Sequence, residues 1–195
     1  MGLAICQLLI ADFPMISIFH AETPEHIALA RELMTEYATA LEFNLCFQNF
    51  EREMAELPGK YATPLGRLLL AFQDDRPAGV IALRPLAGNG AAENIKSCEM
   101  KRLFVRPAFR GLGLGRVLAE RLVQEARNCG YDCMRLDTVR GSMDRAIELY
   151  RELGFREIPA YCDNPMPGVL YLELTLTARP VTESSFSDVG AGINE

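Results

Sequence analysis

Seven consecutive residues, Arg110-Gly111-Leu112-Gly113-Leu114-Gly115-Arg116, carry the clearest chemistry in this chain. Three glycines at alternating positions leave the backbone bare where an apolar, strand-like run ends and a well-patterned helix begins. The first amides of a helix have no partner inside it, and the helix dipole puts partial positive charge at the same end. Together they make a site for phosphate. Arg110 and Arg116 add two planar guanidinium groups that suit the same anion. The segment therefore reads as the cradle of a diphosphate-bearing ligand. A plain strand-to-helix turn needs neither three glycines nor two flanking arginines.

Spacing decides which ligand. The dinucleotide fingerprint G-x-G-x-x-G fits at Gly111 and Gly113 but finds Arg116 where its third glycine belongs, and the ATP loop G-x-x-x-x-G-K-[ST] has no match. The pattern R-x-x-G-x-G does fit, as Arg110, Gly113 and Gly115. It resembles the acetyl-CoA signature of the GNAT acetyltransferase superfamily. The preceding Leu103-Phe104-Val105-Arg106-Pro107 is similar to the end of that family's fourth strand. Ala146 to Phe155 is similar to its fourth helix and the turn after it. The resemblance spans Ile16 to Leu176 and is strongest from Glu99 to Phe155. It implies an acetyl-CoA-dependent N-acetyltransferase in which Arg110, Gly111, Leu112, Gly113, Leu114, Gly115 and Arg116 hold the co-substrate's diphosphate.

Acetyl transfer to an amine has three demands. The amine must be neutral, yet an alkyl amine with a pKa of about 10.4 is neutral only about once in 2,500 at pH 7, a deficit of roughly 4.6 kcal/mol. A positioned base recovers much of that. Glu99, eleven residues before Arg110, stands where some family members carry a glutamate base. The competing reading is a carboxylate at a strand edge, paired with Lys101 or Arg102. Strand alternation puts Glu99, Lys101, Leu103 and Val105 on one face. Next, the carbonyl oxygen gains negative charge and needs donors, for which backbone amides are suited. The resemblance assigns this to the main chain of Leu103, Phe104 and Val105, which would also bond the pantetheine arm as if it were an extra strand. Finally, the departing thiolate needs a proton. Tyr150, a phenol protonated at neutral pH, is the acid the resemblance implies; a half-buried helical tyrosine with no such role is the alternative. One departure stands out: many family members carry asparagine where this chain has Met143. Ser142 or Asp144 would have to replace that contact, or it is absent.

The elements that must position these residues follow from periodicity. Met15 to His20 alternates as a strand. Thr23-Pro24-Glu25 starts a helix, with an N-cap hydroxyl and proline at the first helical position, and helical spacing runs from Ile27 to Leu41. Phe43 to Leu57 reads as a second helix, stopped by Pro58-Gly59. Leu68–Phe72 and Val80–Leu83 are strands joined by a turn at Asp74-Asp75-Arg76-Pro77. Ala87 to Asn94 is a small-residue loop, and Cys98 to Val105 is the next strand. The helix from Gly113 to Asn128 puts Leu114, Val117, Leu118, Leu122 and Ala126 on one stripe, with Glu120, Arg121, Gln124 and Glu125 mostly opposite. Gly130 caps it. Met134–Val139 is a strand, Ser142 to Gly154 a helix, and Phe155–Ile158 and Val169–Leu176 are the last strands. The order is β-α-α-β-β-β-α-β-α-β-β. It predicts an α/β fold with a mixed, mostly antiparallel, twisted sheet of about seven strands and helices on both faces. A right-handed crossover through the glycine-started helix would leave the ligand at the carboxyl end of a strand.

The 195 residues suit one domain, residues 15–177, with residues 1–14 an upstream extension and 178–195 a polar, flexible tail. The opening apolar run lacks a basic n-region and a clear cleavage site. A net charge of −6 argues against nucleic acid as partner, and no apolar run is long enough to span a bilayer. Six cysteines without a C-x-x-C pair, and only two histidines, read as reduced thiols of a cytoplasmic protein with no metal. Acceptor specificity belongs to the first two helices and the last hairpin. Phe43, Phe47 and Phe50 cluster there with Glu51 and Glu53, although aromatics at this spacing are more often core than pocket, and Asp163 in the loop Tyr161–Gly168 could attract a cationic amine. That loop resembles those of bacterial family members acting on small molecules. The expected acceptor is thus a small-molecule amine, and a homodimer is compatible with the reading. A catalytically silent acyl-CoA-binding sensor and a protein-lysine acetyltransferase would use the same co-substrate site.

Overall fold

The structure, a computed structural model, describes residues 15–41, 49–86 and 95–176. Strand β1 (Ile16–His20) leads into helix α1 (Pro24–Ala40) and helix α2 (Phe50–Glu56). Strands β2 (Arg67–Gln73), β3 (Arg76–Leu86) and β4 (Ser97–Val105) follow. Helix α3 (Leu114–Asn128) crosses to β5 (Cys133–Val139). Helix α4 (Asp144–Glu152), β6 (Arg156–Ile158) and β7 (Val169–Thr175) complete the order. The seven strands lie as β1-β2-β3-β4-β5-β7-β6. Only the β4–β5 pair is parallel, as the crossover through α3 requires.

Each face of the sheet carries its own core. Ala30, Leu33 and Met34 of α1 and Met54 of α2 pack with Leu68, Leu70, Val80 and Ala82 on one side. Leu114, Leu118, Leu122 and Ala126 of α3 and Tyr150 of α4 pack with Leu69, Ile81, Leu83 and Met100 on the other. The alternation along β2 and β3 sorts these side chains between the two clusters.

Local chemistry explains the element ends. Thr23 Oγ1 accepts from the His26 amide at 3.2 Å, with Pro24 next to it. Gly130 and Gly154 have φ of +76° and +94° and end α3 and α4, their following amides reaching back to Ala126 and Tyr150. Asp74 and Asp75 both adopt positive φ between the paired Gln73 and Arg76, a two-residue turn matching the strand twist.

Three expectations change. The second helix does not run continuously from Phe43: Asn49 is left-handed, at φ 54°, and α2 begins at Phe50. Phe43 and Phe47 lie outside the described residues, as do residues 1–14, the loop 87–94 and the tail. Glu125 is not on a solvated face. It is 7% exposed and meets His20 Nε2 at 3.2 Å, Arg67 Nε at 2.9 Å and Arg121 Nε at 2.9 Å. The end of β1 and the start of β2 supply an imidazole and a guanidinium that let a carboxylate sit where the periodicity shows none. The third change concerns β4. Lys101 faces Ala82 and Phe104 faces Val80, so β4 spends three residues where β3 spends two. Arg102 sits in this bulge at φ +60°. The bulge reverses the alternation. Glu99, Lys101 and Phe104 therefore face α1 and α2, while Leu103 and Val105 pack against the α3 side.

Candidate active site

Strands β4 and β5 pair only where they begin. Ser97, Cys98 and Glu99 face Cys133, Met134 and Arg135, and the ladder stops there. Past it a cavity of ≈ 700 Å³ is lined by Met100 to Val105 on one strand and Leu136 to Val139 on the other. Backbone groups of β4 on that side have no strand to bond, which suits an extended ligand with amides of its own. The same cavity reaches Arg110, Gly111, Gly113, Leu114, Gly115 and Arg116 at one end.

That end has the free backbone amides that an anion could use. Among the described residues, no amide from Gly111 to Gly115 donates to a backbone carbonyl; Arg116 is the next that does, to Gly113 at 3.0 Å. Gly111 and Gly113 have φ of +83° and +78°, yet a Cβ built on either would meet nothing within 4 Å. Their identity is set by backbone conformation rather than by lack of space. These features fit a diphosphate. Leu112 turns its side chain to solvent, 51% exposed, whereas Leu114 is buried in the core.

The two arginines line the cavity but are already held by protein groups. Arg110 Nε donates to the Val105 carbonyl at 2.9 Å and its guanidinium lies over Phe104. Of the three strand residues expected to offer main-chain groups, Val105 therefore has its carbonyl engaged. Arg116 pairs with Glu152 of α4 and, at 3.7 Å, with Glu120. At the usual asparagine position Met143 accepts from Thr138 Oγ1 at 3.4 Å. Asp144 accepts from the Gly141 amide at 2.9 Å, and Ser142 lines the cavity.

Tyr150 lines the cavity, as does Tyr37 of α1. Burial pushes the Tyr150 phenol upward, reinforced by Tyr37 and Asp137; burial likewise pushes Tyr37 up to about 12. Both hydroxyls are protonated donors at neutral pH.

A second cavity, ≈ 400 Å³, is walled by α2, the short 3₁₀ turn Gly59–Tyr61 and the loop at Cys162 and Asp163. Glu99 lies here, 1% exposed. It is not at a sheet edge, since β4 is the middle strand of seven. Nor is it free. Arg84 Nε donates to Oε2 at 2.6 Å, the Tyr161 hydroxyl donates to Oε1 at 2.8 Å, and Lys101 Nζ stands 3.7 Å from Oε1. Arg102, the other partner considered for Glu99, instead places two N–H groups on Glu53, each at 2.8 Å, and Tyr61 donates to the same carboxylate at 2.8 Å. Lys101 Nζ donates to Asp137 Oδ1 at 2.9 Å, and Asn164 to Oδ2 at 2.7 Å. Burial would raise the carboxyls of Glu53 and Asp137, but Arg102 with Tyr61, and Lys101 with Asn164, outweigh it and hold both below their ordinary values. Arg52 and Glu56 pair at the exposed rim, 2.6 Å apart.

Lys101, Arg102 and Asp137 line both cavities, so the two meet at this trio. Reading the sequence alone missed it. A signal was present: charged residues at Glu99, Lys101, Arg102, Arg135 and Asp137 interrupt two strands covered on both faces. The partners were out of reach, because Arg84, Glu53 and Tyr161 come from other elements.

Comparison with known proteins gives a consistent picture. The model of the acetyltransferase (GNAT) family matches residues 28–155. An N-acetyltransferase of Schizosaccharomyces pombe is 36% identical over 163 residues, covering 83% of this chain and 96% of the relative. A GNAT-family acetyltransferase from Staphylococcus aureus superposes with TM-score 0.65 at 18% identity, over 84% of this chain and 100% of that one. The PaiA N-acetyltransferase of Thermoplasma acidophilum, solved in complex with coenzyme A, has TM-score 0.60 at 17% identity, over 83% and 99% of the two chains.

Proposed function

The chain belongs to the acetyltransferase (GNAT) family, and from that premise we propose that it moves the acetyl group of acetyl-CoA to a primary amine of a small molecule, by direct attack with both substrates bound. One observation carries the reading. Two cavities, one with a bare-amide cradle and a parted strand pair, the other small and ionic, meet at Lys101, Arg102 and Asp137.

Acetyl-CoA supplies an acetyl group activated as a thioester. The amides of Gly111 to Gly115 hold its diphosphate, with Arg110 and Arg116 beside them. The main chain of Leu103 and Phe104 borders the pantetheine arm and offers amides to the carbonyl oxygen as it gains charge. Tyr150 gives its proton to the departing sulfur. Glu99 and Asp137, on either side of Lys101, orient the amine, and Glu99 takes up its proton.

The test uses the purified chain. Calorimetry measures acetyl-CoA uptake, and thiol release is then followed with a panel of small amines and lysine-containing peptides. Uptake with release on a small amine is the expected result. Uptake without release on any acceptor points to a sensor, and release with peptides alone points to a protein-lysine acetyltransferase. No uptake by folded protein removes the assignment.

A further inference from the structure

We infer that the acceptor is a zwitterion, a small molecule carrying a carboxylate besides the amine that is acetylated. This rests on the reading of the second cavity as the acceptor site. Ten of the fifteen described residues that line it are charged, five of each sign. Eight of the ten form four ion pairs within the protein: three pairs in the buried floor, joining Arg84, Lys101 and Arg102 to their carboxylates, and Arg52 with Glu56 at the rim. Lys60 and Asp163 are left. Both are exposed at the mouth, and among the described residues neither makes an ion pair or a side-chain hydrogen bond.

The two stand on different walls. Lys60 belongs to the 3₁₀ turn after α2, and Asp163 to the loop between β6 and β7. A simple amine enters as a cation. It would meet Asp163 favourably and Lys60 unfavourably, and it would add charge to a cavity whose own charges balance. A plain carboxylate has the opposite difficulty. A molecule with an ammonium and a carboxylate answers both uncommitted groups and brings no net charge into the ionic floor. Asp163 meets the ammonium as it enters; the carboxylate is then held by Lys60 at the mouth while the amine goes on to the junction at Lys101 and Asp137.

Matched acceptor pairs that differ by one carboxylate test this: alanine and ethylamine, phenylalanine and phenethylamine, lysine and cadaverine. Thiol release with acetyl-CoA is measured for each member in the natural chain, in Lys60→Met and in Lys96→Met, an exposed lysine outside the cleft. In the best-used pair the amino-carboxylate is expected to exceed its partner in kcat/KM by about tenfold or more, the scale of one charge-assisted contact. Lys60→Met brings that ratio toward one, chiefly through KM of the amino-carboxylate, and Lys96→Met keeps it. Amines that are acetylated as well as their carboxylated partners, or a ratio that survives Lys60→Met, overturn the inference while the acetyltransferase reading stands. Acetyl-CoA binding with no thiol release on any pair overturns the inference, and it ends the acetyltransferase reading too when the wider panel of amines and peptides is also silent.

Discussion

Tyr150 joins two roles in one side chain. Its ring packs on Phe155 with centroids 5.8 Å apart, and the cavity wall it forms puts the phenol beside the parted strands. Tyr150→Phe keeps the ring and removes only the hydroxyl. The expected result is a fall of about 10²-fold in kcat, with acetyl-CoA affinity by calorimetry nearly intact; an unaltered kcat takes Tyr150 out of the mechanism. Glu99 needs a different design, because its carboxylate is both a candidate base and the partner of Arg84. Glu99→Gln preserves shape and leaves a guanidinium without its anion, so a stability loss of about 3 kcal/mol is expected whatever its catalytic role. The pH–rate profile separates the roles. If Glu99 takes the amine's proton, the variant's rate falls and comes to climb with pH as the amine itself becomes neutral. A profile unchanged in shape, in a protein with a lower melting temperature, makes Glu99 a structural residue only. Glu99 was legible from its offset to Arg110. Its partners were not, since Arg84 comes from the neighbouring strand by register and Tyr161 from a loop 62 residues away.

At the scale of elements, the glycine turn before α3 was the most readable part of the chain, because its demands are local. Amides at a helix start and left-handed backbone both write themselves into residue type. Gly113→Ala tests that logic. A methyl at this position has room, since nothing lies within 4 Å, but φ of +78° opposes any Cβ. The substitution should lower stability by about 1 to 2 kcal/mol and weaken acetyl-CoA binding as the turn relaxes away from its cradle geometry. Calorimetry and a denaturation curve on the same variant check both. A stable variant that binds as before would mean that the turn tolerates another conformation. The bulge in β4 was not readable in this way. No glycine or proline marks Arg102, and the extra residue is visible only against the register of β3. Yet it decides the site. It turns Lys101 toward Asp137 and Leu103 toward the α3 core, reversing the face assignment that strict alternation predicts. The same holds for Glu125, whose place on α3 looks solvated until β1 and β2 bring His20 and Arg67 against it.

Across the whole molecule, ion pairs, most of them buried, give stability a defined pH window. Arg106 holds Glu36 below the ordinary carboxyl range. For Glu53, Glu125 and Asp137, burial acts upward, but paired cations outweigh it and leave each carboxyl lowered. A carboxyl that binds its proton less readily when folded than when unfolded contributes stability fully present above the unfolded value, about 4, and lost as pH falls through the folded one. The phenols work in the other direction. Burial raises Tyr150, and Tyr37 to about 12, so their contribution is present below the unfolded value of about 10 and is lost as pH rises beyond it. Burial raises the Cys98 thiol, and Cys162 to about 11, so their contribution is lost as pH rises beyond the unfolded value of about 8.5. Denaturation midpoints should therefore be level from about pH 5 to about pH 8 and fall on both sides. Glu125→Gln isolates one part of the acid limb. It ties α3 to β1 and β2 through His20 and Arg67, with Arg121 beside it, and the variant should start lower at neutral pH and decline less on acidification. A natural chain whose midpoint stays constant down to about pH 3 would mean that these pairs add nothing to stability beyond what water gives the same groups in the unfolded chain.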